Sequence, residues 1–180
     1  MKIIIILAHP NIEESVVNKF FIEHLPKDNA ELTVHQLYKE HPNYIFDVEA
    51  EQNLLAQQER IIFQFPLYWY SAPFLLQKYL EDVFLRNWCY GSKGIKLQGK
   101  QLGIAVSAGG RQAIYQAGGR NHYTMSELLR PFQAAANITR MTYLPAFVFY
   151  GAKTYSAAVK AVTEENLNAA LPAYLDFIFK

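Results

Sequence analysis

The stretch Ile3-Ile4-Ile5-Ile6-Leu7-Ala8-His9-Pro10 decides how the rest of the chain is read. Residues 3–8 form an unbroken apolar run dominated by β-branched isoleucine, the composition of a strand buried on both faces of a parallel sheet. The run is shorter than a signal-peptide core, has no small-residue cleavage site and passes straight into His9-Pro10-Asn11. It reads as a central strand over 2–8, not as an export signal.

Outward from this strand, element types alternate. Ser15 stands where it can cap a helix carrying Val16, Val17, Phe20, Phe21 and Leu25, with Pro26 helping to end it. Residues 31–37 alternate apolar and polar side chains as a strand does, and a helix is expected over 48–57. Arg60-Ile61-Ile62-Phe63-Gln64-Phe65 is a second buried strand. Pro73 opens a helix whose apolar residues, from Phe74 to Phe84, cover a wide arc, which marks it as a candidate dimer surface. Strands over 101–107 and 141–150, a helix over 123–136 and a last helix over 163–179, with a kink expected at Pro172, complete the series. Regular β-α alternation calls for a parallel sheet with right-handed crossovers and helices on both faces. No repeat, low-complexity tract or linker interrupts the 180 residues, so one domain over 1–180 is expected.

Composition removes several function classes. Lys+Arg 17 against Asp+Glu 16 leaves a net charge of +1, so no nucleic acid or anionic membrane is called for as partner. The single cysteine, Cys89, can form no internal disulfide and reads as packing material, in keeping with a reducing cytoplasm. No metal ligands are assigned, and no stretch approaches the roughly 20 apolar residues of a membrane span. Aromatic residues make up 14% of the chain, which suits either a flat ligand or an aromatic core.

In an open parallel sheet, ligands gather beyond the carboxyl ends of the strands. The loop after the first strand lacks both G-x-G-x-x-G and the Walker A pattern. Its His9, Ser15 and Asn18, with free N–H groups at a helix start, could hold an anion, or could simply shape a turn and a cap. Glu13 and Glu14 oppose an anion unless they face solvent. The loop after the third strand, Pro66-Leu67-Tyr68-Trp69-Tyr70-Ser71-Ala72-Pro73, places three consecutive aromatics where the fold does not demand them. They could hold a planar ring through the backbone of Tyr68 to Tyr70 and the faces of Trp69 or Tyr70, or lie under a neighbouring subunit. The loop after the fourth strand begins Ser107-Ala108-Gly109-Gly110, where the backbone can approach a ligand or only turn, and continues through Tyr115 to His122.

Taken together, Leu7-Ala8-His9-Pro10 with Ser15 and Asn18, the Phe65 to Pro73 segment, Trp88-Cys89-Tyr90-Gly91, Leu97-Gln98-Gly99-Lys100 and Ser107 to Gly110 resemble the NAD(P)H:quinone oxidoreductase branch of the flavodoxin-like proteins. The resemblance covers nearly the whole chain, and within the branch it points to the small bacterial enzymes. These include stress-induced quinone reductases and the ancillary oxidoreductases of glutathione-gated potassium efflux systems.

The resemblance implies a flavodoxin-like three-layer α/β sandwich with a five-stranded parallel sheet in the order 2-1-3-4-5. It further implies bound FMN, with phosphate and ribityl chain at His9, Ser15, Val16, Val17 and Asn18. The ring would lie along Pro66, Leu67, Tyr68, Trp69 and Tyr70 and along Ser107, Ala108, Gly109 and Gly110. Where the family has two threonines before the glycine pair, this chain has Ser107 and Ala108. Tyr115 matches the family's tyrosine beside the flavin. The histidine expected some six residues later is Asn121 here, with His122 adjacent. Tyr115, His122, Trp69 and Tyr70 are therefore the implied catalytic group. NADPH or NADH would reduce the flavin, and a quinone would then take two electrons at the same site, in a ping-pong pattern. A homodimer is implied too. The competing roles are an ancillary subunit of a potassium efflux antiporter, brought to the inner membrane only through that partner, and an electron carrier, against which the near-neutral charge speaks.

Overall fold

Strand β1 (Ile3–Leu7) is buried along its whole length, and its neighbours on both sides explain why. In the computed structural model, which describes residues 1–152 and 162–180, β1 lies between β2 (Leu32–Gln36) and β3 (Arg60–Pro66). Strand β4 (Gln101–Ala108) follows β3, and all pairings are parallel. The two central strands β3 and β4 are buried at nearly every residue, so each reads as a continuous apolar run instead of alternating.

The fifth position of the sheet is shared by β5 (Thr142–Tyr143) and β6 (Phe147–Tyr150), both paired with β4. The single strand expected over 141–150 is therefore interrupted. Leu102 faces Tyr143 while Ala105 faces Phe147, so two residues of β4 span three of the outer strand. One extra residue at Leu144-Pro145-Ala146 makes a bulge, placed where Pro145 has no N–H to give the ladder. Counting this interrupted strand as one, the order is 2-1-3-4-5, as expected.

The connecting segments carry helices α1 (Val17–Glu23), α2 (Leu37–Glu40), α3 (Val48–Ala56), α4 (Phe74–Val83), α5 (Met125–Leu128), α6 (Arg130–Ile138) and α7 (Glu164–Phe179). One core, around Phe63, Phe65, Leu75, Leu76, Tyr79 and Phe132, covers one face of the sheet. The other, around Phe21, Ile62, Tyr174 and Ile178, covers the opposite face with α1 and α7.

Two helix expectations need correction. The helix expected over 123–136 is two helices, because Pro131 cannot donate the N–H that would join them. Thr124 caps the first through a reciprocal box with Glu127. The wide apolar arc of α4 is taken up by the chain's own core: Leu75, Leu76, Tyr79 and Val83 are fully buried, and Phe74 alone among its large apolar residues is exposed. Helix α7 runs unbroken through Pro172. Its carboxyl end is held by buried Arg60, which donates to the Phe177 and Ile178 carbonyls at 3.2 and 2.6 Å and to Gln101 at 2.6 Å. A cation on the orphan carbonyls of a helix end offsets the cost of burying the guanidinium. Cys89 is fully buried as expected, and burial pushes its thiol up to about 12, leaving it inert.

Candidate active site

Register brings the ends of β1, β3 and β4 level, since Leu7 pairs with Gln64 and Gln64 with Ala105. The loops that leave these ends border one cleft of about 900 Å³, within the range of small-molecule cofactor sites. His9, Pro10, Asn11 and Glu14 to Asn18 come from the first loop, and Pro66 to Tyr70 from the second. The third supplies Ser107, Gly109, Ile114, Tyr115, Arg120 and Asn121, and Ala152 closes the rim after β6.

The first loop is shaped by its own polar groups. His9 Nδ1 accepts the Asn11 N–H at 3.2 Å, which fixes the tautomer that carries its proton on Nε2. Burial lowers the His9 pKa, so at neutral pH it offers the cleft a neutral N–H donor. Ser15 Oγ accepts the Asn18 N–H at 3.1 Å and thereby caps the start of α1. Among the described residues, the N–H groups of Val16 and Val17 have no hydrogen-bond acceptor, as the first N–H groups of a helix do not. Glu13 pairs with Lys19 at 2.6 Å and is turned away, whereas Glu14 lines the cleft.

Asn18 does something other than reach for an anion. It is buried, and its amide donates to Ser107 Oγ at 3.0 Å. Gln64 donates to its backbone and side-chain oxygens at 3.4 Å, and Tyr174 donates to Gln64 at 2.7 Å. This chain of hydrogen bonds fastens α1 to β3, β4 and α7 beneath the cleft floor, so the floor is held by satisfied polar groups.

The aromatic loop is a two-residue hairpin. Tyr68 and Ser71 exchange hydrogen bonds at 2.9 and 3.0 Å, so the Tyr68 N–H is consumed inside the turn and cannot serve a ligand. Trp69 and Tyr70 fill the two central positions with φ of 47° and 64°, values that asparagine and glycine ordinarily supply. Trp69 stands at the tip, 93% exposed. The Tyr70 hydroxyl reaches Asn121 Oδ1 at 3.4 Å and so bridges the second and third loops. Burial raises the Tyr68 pKa, so its phenol stays protonated.

In the third loop, Ser107 and Gly109 face the cleft, while Ala108 and Gly110 are buried behind it. Gly110 is needed for close approach: a Cβ there would lie 2.3 Å from Ile114 Cδ1 and 3.0 Å from Tyr115 Cε2. Tyr115 is buried to its edge and lies 5.7 Å, centre to centre, from the ring of Tyr150.

Among the residues singled out from sequence, thirteen border the cleft: His9, Ser15, Val16, Val17, Asn18, Pro66, Leu67, Tyr68, Trp69, Tyr70, Ser107, Gly109 and Tyr115. Ala108 and Gly110 support it from behind. His122 does not border it: it is exposed, its backbone has a φ of 61°, and its neighbour Asn121 takes the place at the rim. Asn121 holds the position where the family's histidine was expected, and Arg120 is the lining residue that sequence reasoning missed; an arginine inside a glycine-rich strand-end loop was the available signal.

Residues 1–172 match a protein family described by its flavodoxin-like fold. An uncharacterized NAD(P)H oxidoreductase, YrkL, of Bacillus subtilis is 53% identical over 151 residues, 84% of this chain and 86% of that one. The glutathione-regulated potassium-efflux system ancillary protein KefG of Erwinia tasmaniensis is 36% identical over 157 residues, 87% of this chain and 84% of that one. Among solved structures, general stress protein 14 of Treponema denticola in complex with FMN is 36% identical with a TM-score of 0.89, covering 99% and 98% of the two chains. An NADPH-quinone reductase of P. pentosaceus is 37% identical with a TM-score of 0.87, covering 100% and 99%.

Proposed function

This chain belongs to the flavodoxin-like family, and from that premise we propose that it is an FMN-dependent NAD(P)H:quinone oxidoreductase. The observation that carries the reading is the meeting of three strand-end loops around one cleft with an aromatic arm on one side and a glycine-bearing loop on the other. Relatives named NAD(P)H oxidoreductase and NADPH-quinone reductase, and a relative solved with FMN, support it.

The residues fit the cofactor. Val16 and Val17 at the start of α1, with the His9 Nε2–H, would hold its phosphate. Leu67 to Tyr70 and Ser107 to Gly109 would hold its ring from two sides. Bound there, FMN supplies the capacity to take a hydride from NADPH or NADH and to pass two electrons to a quinone. The chain does the rest. Trp69 and Tyr70 wall a slot for flat partners, and Asn121 steadies Tyr70. Arg120, the one arginine or lysine among the described residues bordering the cleft, would meet the phosphates of the nicotinamide donor while Glu14 sets a negative border at the opposite loop. A second copy of the chain would cover the exposed Trp69, Tyr70, Phe74 and Tyr44 and close the slot. In this reading the protein works in the cytoplasm, and among the described residues no helix is long and apolar enough to cross a membrane.

Since one slot serves donor and acceptor in turn, initial rates at several fixed quinone concentrations should give parallel double-reciprocal lines. Intersecting lines would place both partners on the protein at once and defeat the single-slot reading. A second role, as ancillary subunit of a potassium efflux antiporter, is supported by the KefG relative. Co-purification with such a transporter, with turnover of quinones absent from the flavin-loaded protein, would favour it over the enzyme.

A further inference from the structure

On the face of the sheet covered by α3 and α4, away from the cleft lining, two imidazoles and a carboxylate meet. His35 is on β2, His41 ends α2 and Glu51 is on α3, a spacing of H-x5-H-x9-E that nothing in the sequence marked as a group. His41 Nε2 lies 2.8 Å from Glu51 Oε1 and His35 Nε2 lies 3.1 Å from Glu51 Oε2. One ligand atom from each residue falls within 4.8 Å of the other two. All three side chains are largely shielded, at 13%, 12% and 6% exposure.

We propose that His35, His41 and Glu51 form a binding site for one divalent transition-metal ion of the zinc class. Zinc bonded to imidazole nitrogen and carboxylate oxygen at about 2.0–2.2 Å in tetrahedral array holds its ligand atoms roughly 3.3 Å apart. The two nitrogen–oxygen distances, 2.8 and 3.1 Å to different oxygens of the carboxylate, lie below that value, so the imidazoles would open slightly to admit the ion. The His35 Nε2 atom is buried and stands 3.1 Å from Glu51 Oε2 without a hydrogen bond of ordinary geometry. A metal ion would satisfy that nitrogen through its lone pair. The carboxylate is also fixed from behind, since the hydroxyl of fully buried Tyr79 on α4 donates to Glu51 Oε2 at 2.9 Å. Hydrogen bonds of this kind orient ligating carboxylates and strengthen metal affinity. With two nitrogens and one carboxylate, the set resembles sites that hold zinc with three protein ligands and a water. The ion would tie β2, α2 and α3 together at the edge of the sheet, and the role is independent of what the cleft binds.

The test uses the flavin-loaded protein, stripped with a chelator and dialysed against Zn2+ at micromolar free concentration. One zinc per chain is expected, with a rise in the thermal midpoint, and His41→Gln is expected to weaken binding at least about tenfold. Tyr79→Phe should weaken it about tenfold without removing a ligand. Because a histidine variant can lose its fold, anomalous scattering at the zinc edge from zinc-soaked wild-type crystals is the companion measurement. A peak between the three side chains supports the site. Zinc bound elsewhere, or binding undiminished in His41→Gln, overturns it and leaves the cluster a hydrogen-bonded structural tie.

Discussion

Replacing Trp69 by asparagine and Tyr70 by glycine together is expected to yield a more stable protein and a poorer enzyme. The hairpin between Tyr68 and Ser71 needs positive φ at both central residues, and bulky side chains occupy both. Holding an ordinary L-residue in the left-handed region costs about 1–2 kcal/mol. Asn-Gly relieves that strain at two positions, while glycine returns about 0.5–1 kcal/mol through greater unfolded-state freedom. A net gain of about 1–2 kcal/mol in denaturant unfolding follows, and Trp69, 93% exposed, forfeits almost no packing when it is removed. The same change strips the aromatic wall from the slot. Ring stacking is worth about 0.5–1.5 kcal/mol per pair, so losing two rings should lower kcat/KM for a quinone roughly tenfold or more. Backbone strain kept at a site instead of being relaxed to Asn-Gly is the signature of a turn held for use. A variant that loses stability would refute the strain; one that keeps full activity would remove Trp69 and Tyr70 from the slot.

Gly110→Val should have the other large effect, on cofactor retention. The added side chain would begin 2.3 Å from Ile114 Cδ1 and 3.0 Å from Ile114 Cγ1 and Tyr115 Cε2. Gly110 cannot retreat, because its carbonyl accepts the Gly151 N–H at 2.9 Å. The segment carrying Ile114 and Tyr115 must therefore move, and both residues border the cleft. Overpacking of this kind costs about 1–3 kcal/mol, which converts to roughly 10–100-fold weaker FMN binding if the free variant relaxes and the bound geometry restores the strain. Gly110→Ala is expected to be milder, since the nearest atom is the mobile end of Ile114 and can rotate away. Dissociation constants from flavin fluorescence would show the graded order wild type, Ala, Val. Equal affinity in all three would mean that Tyr115 does not shape the flavin site.

Strands β1, β3 and β4 were legible because double burial leaves no polar alternation to misread. Pro73 and Thr163 likewise marked the starts of α4 and α7 where a missing N–H or a capping hydroxyl is tolerated. Pro131 and Pro145 carried equally plain signals for a helix break and a bulge. Apolar periodicity across each proline concealed them, since burial continues on both sides while the hydrogen-bond ladder does not. The wide arc of α4 could not distinguish a second subunit from the chain's own core. In the site, the three loops could be placed at strand ends from topology alone. The hairpin could not be read, because Trp-Tyr is not a turn pair by any local preference. The use of Asn18 to bind Ser107 depends on a contact across 89 residues, and the meeting of His35, His41 and Glu51 likewise depends on how three elements pack.

The central claim is that the cleft bordered by His9, Trp69 and Gly109 is a flavin site, and the most direct measurement is titration of FMN into flavin-free protein followed by ring fluorescence. Saturation at one FMN per chain is expected, with fluorescence quenched by the neighbouring aromatic side chains. A signal that rises in simple proportion to added FMN, with no saturation and no quenching, would contradict it.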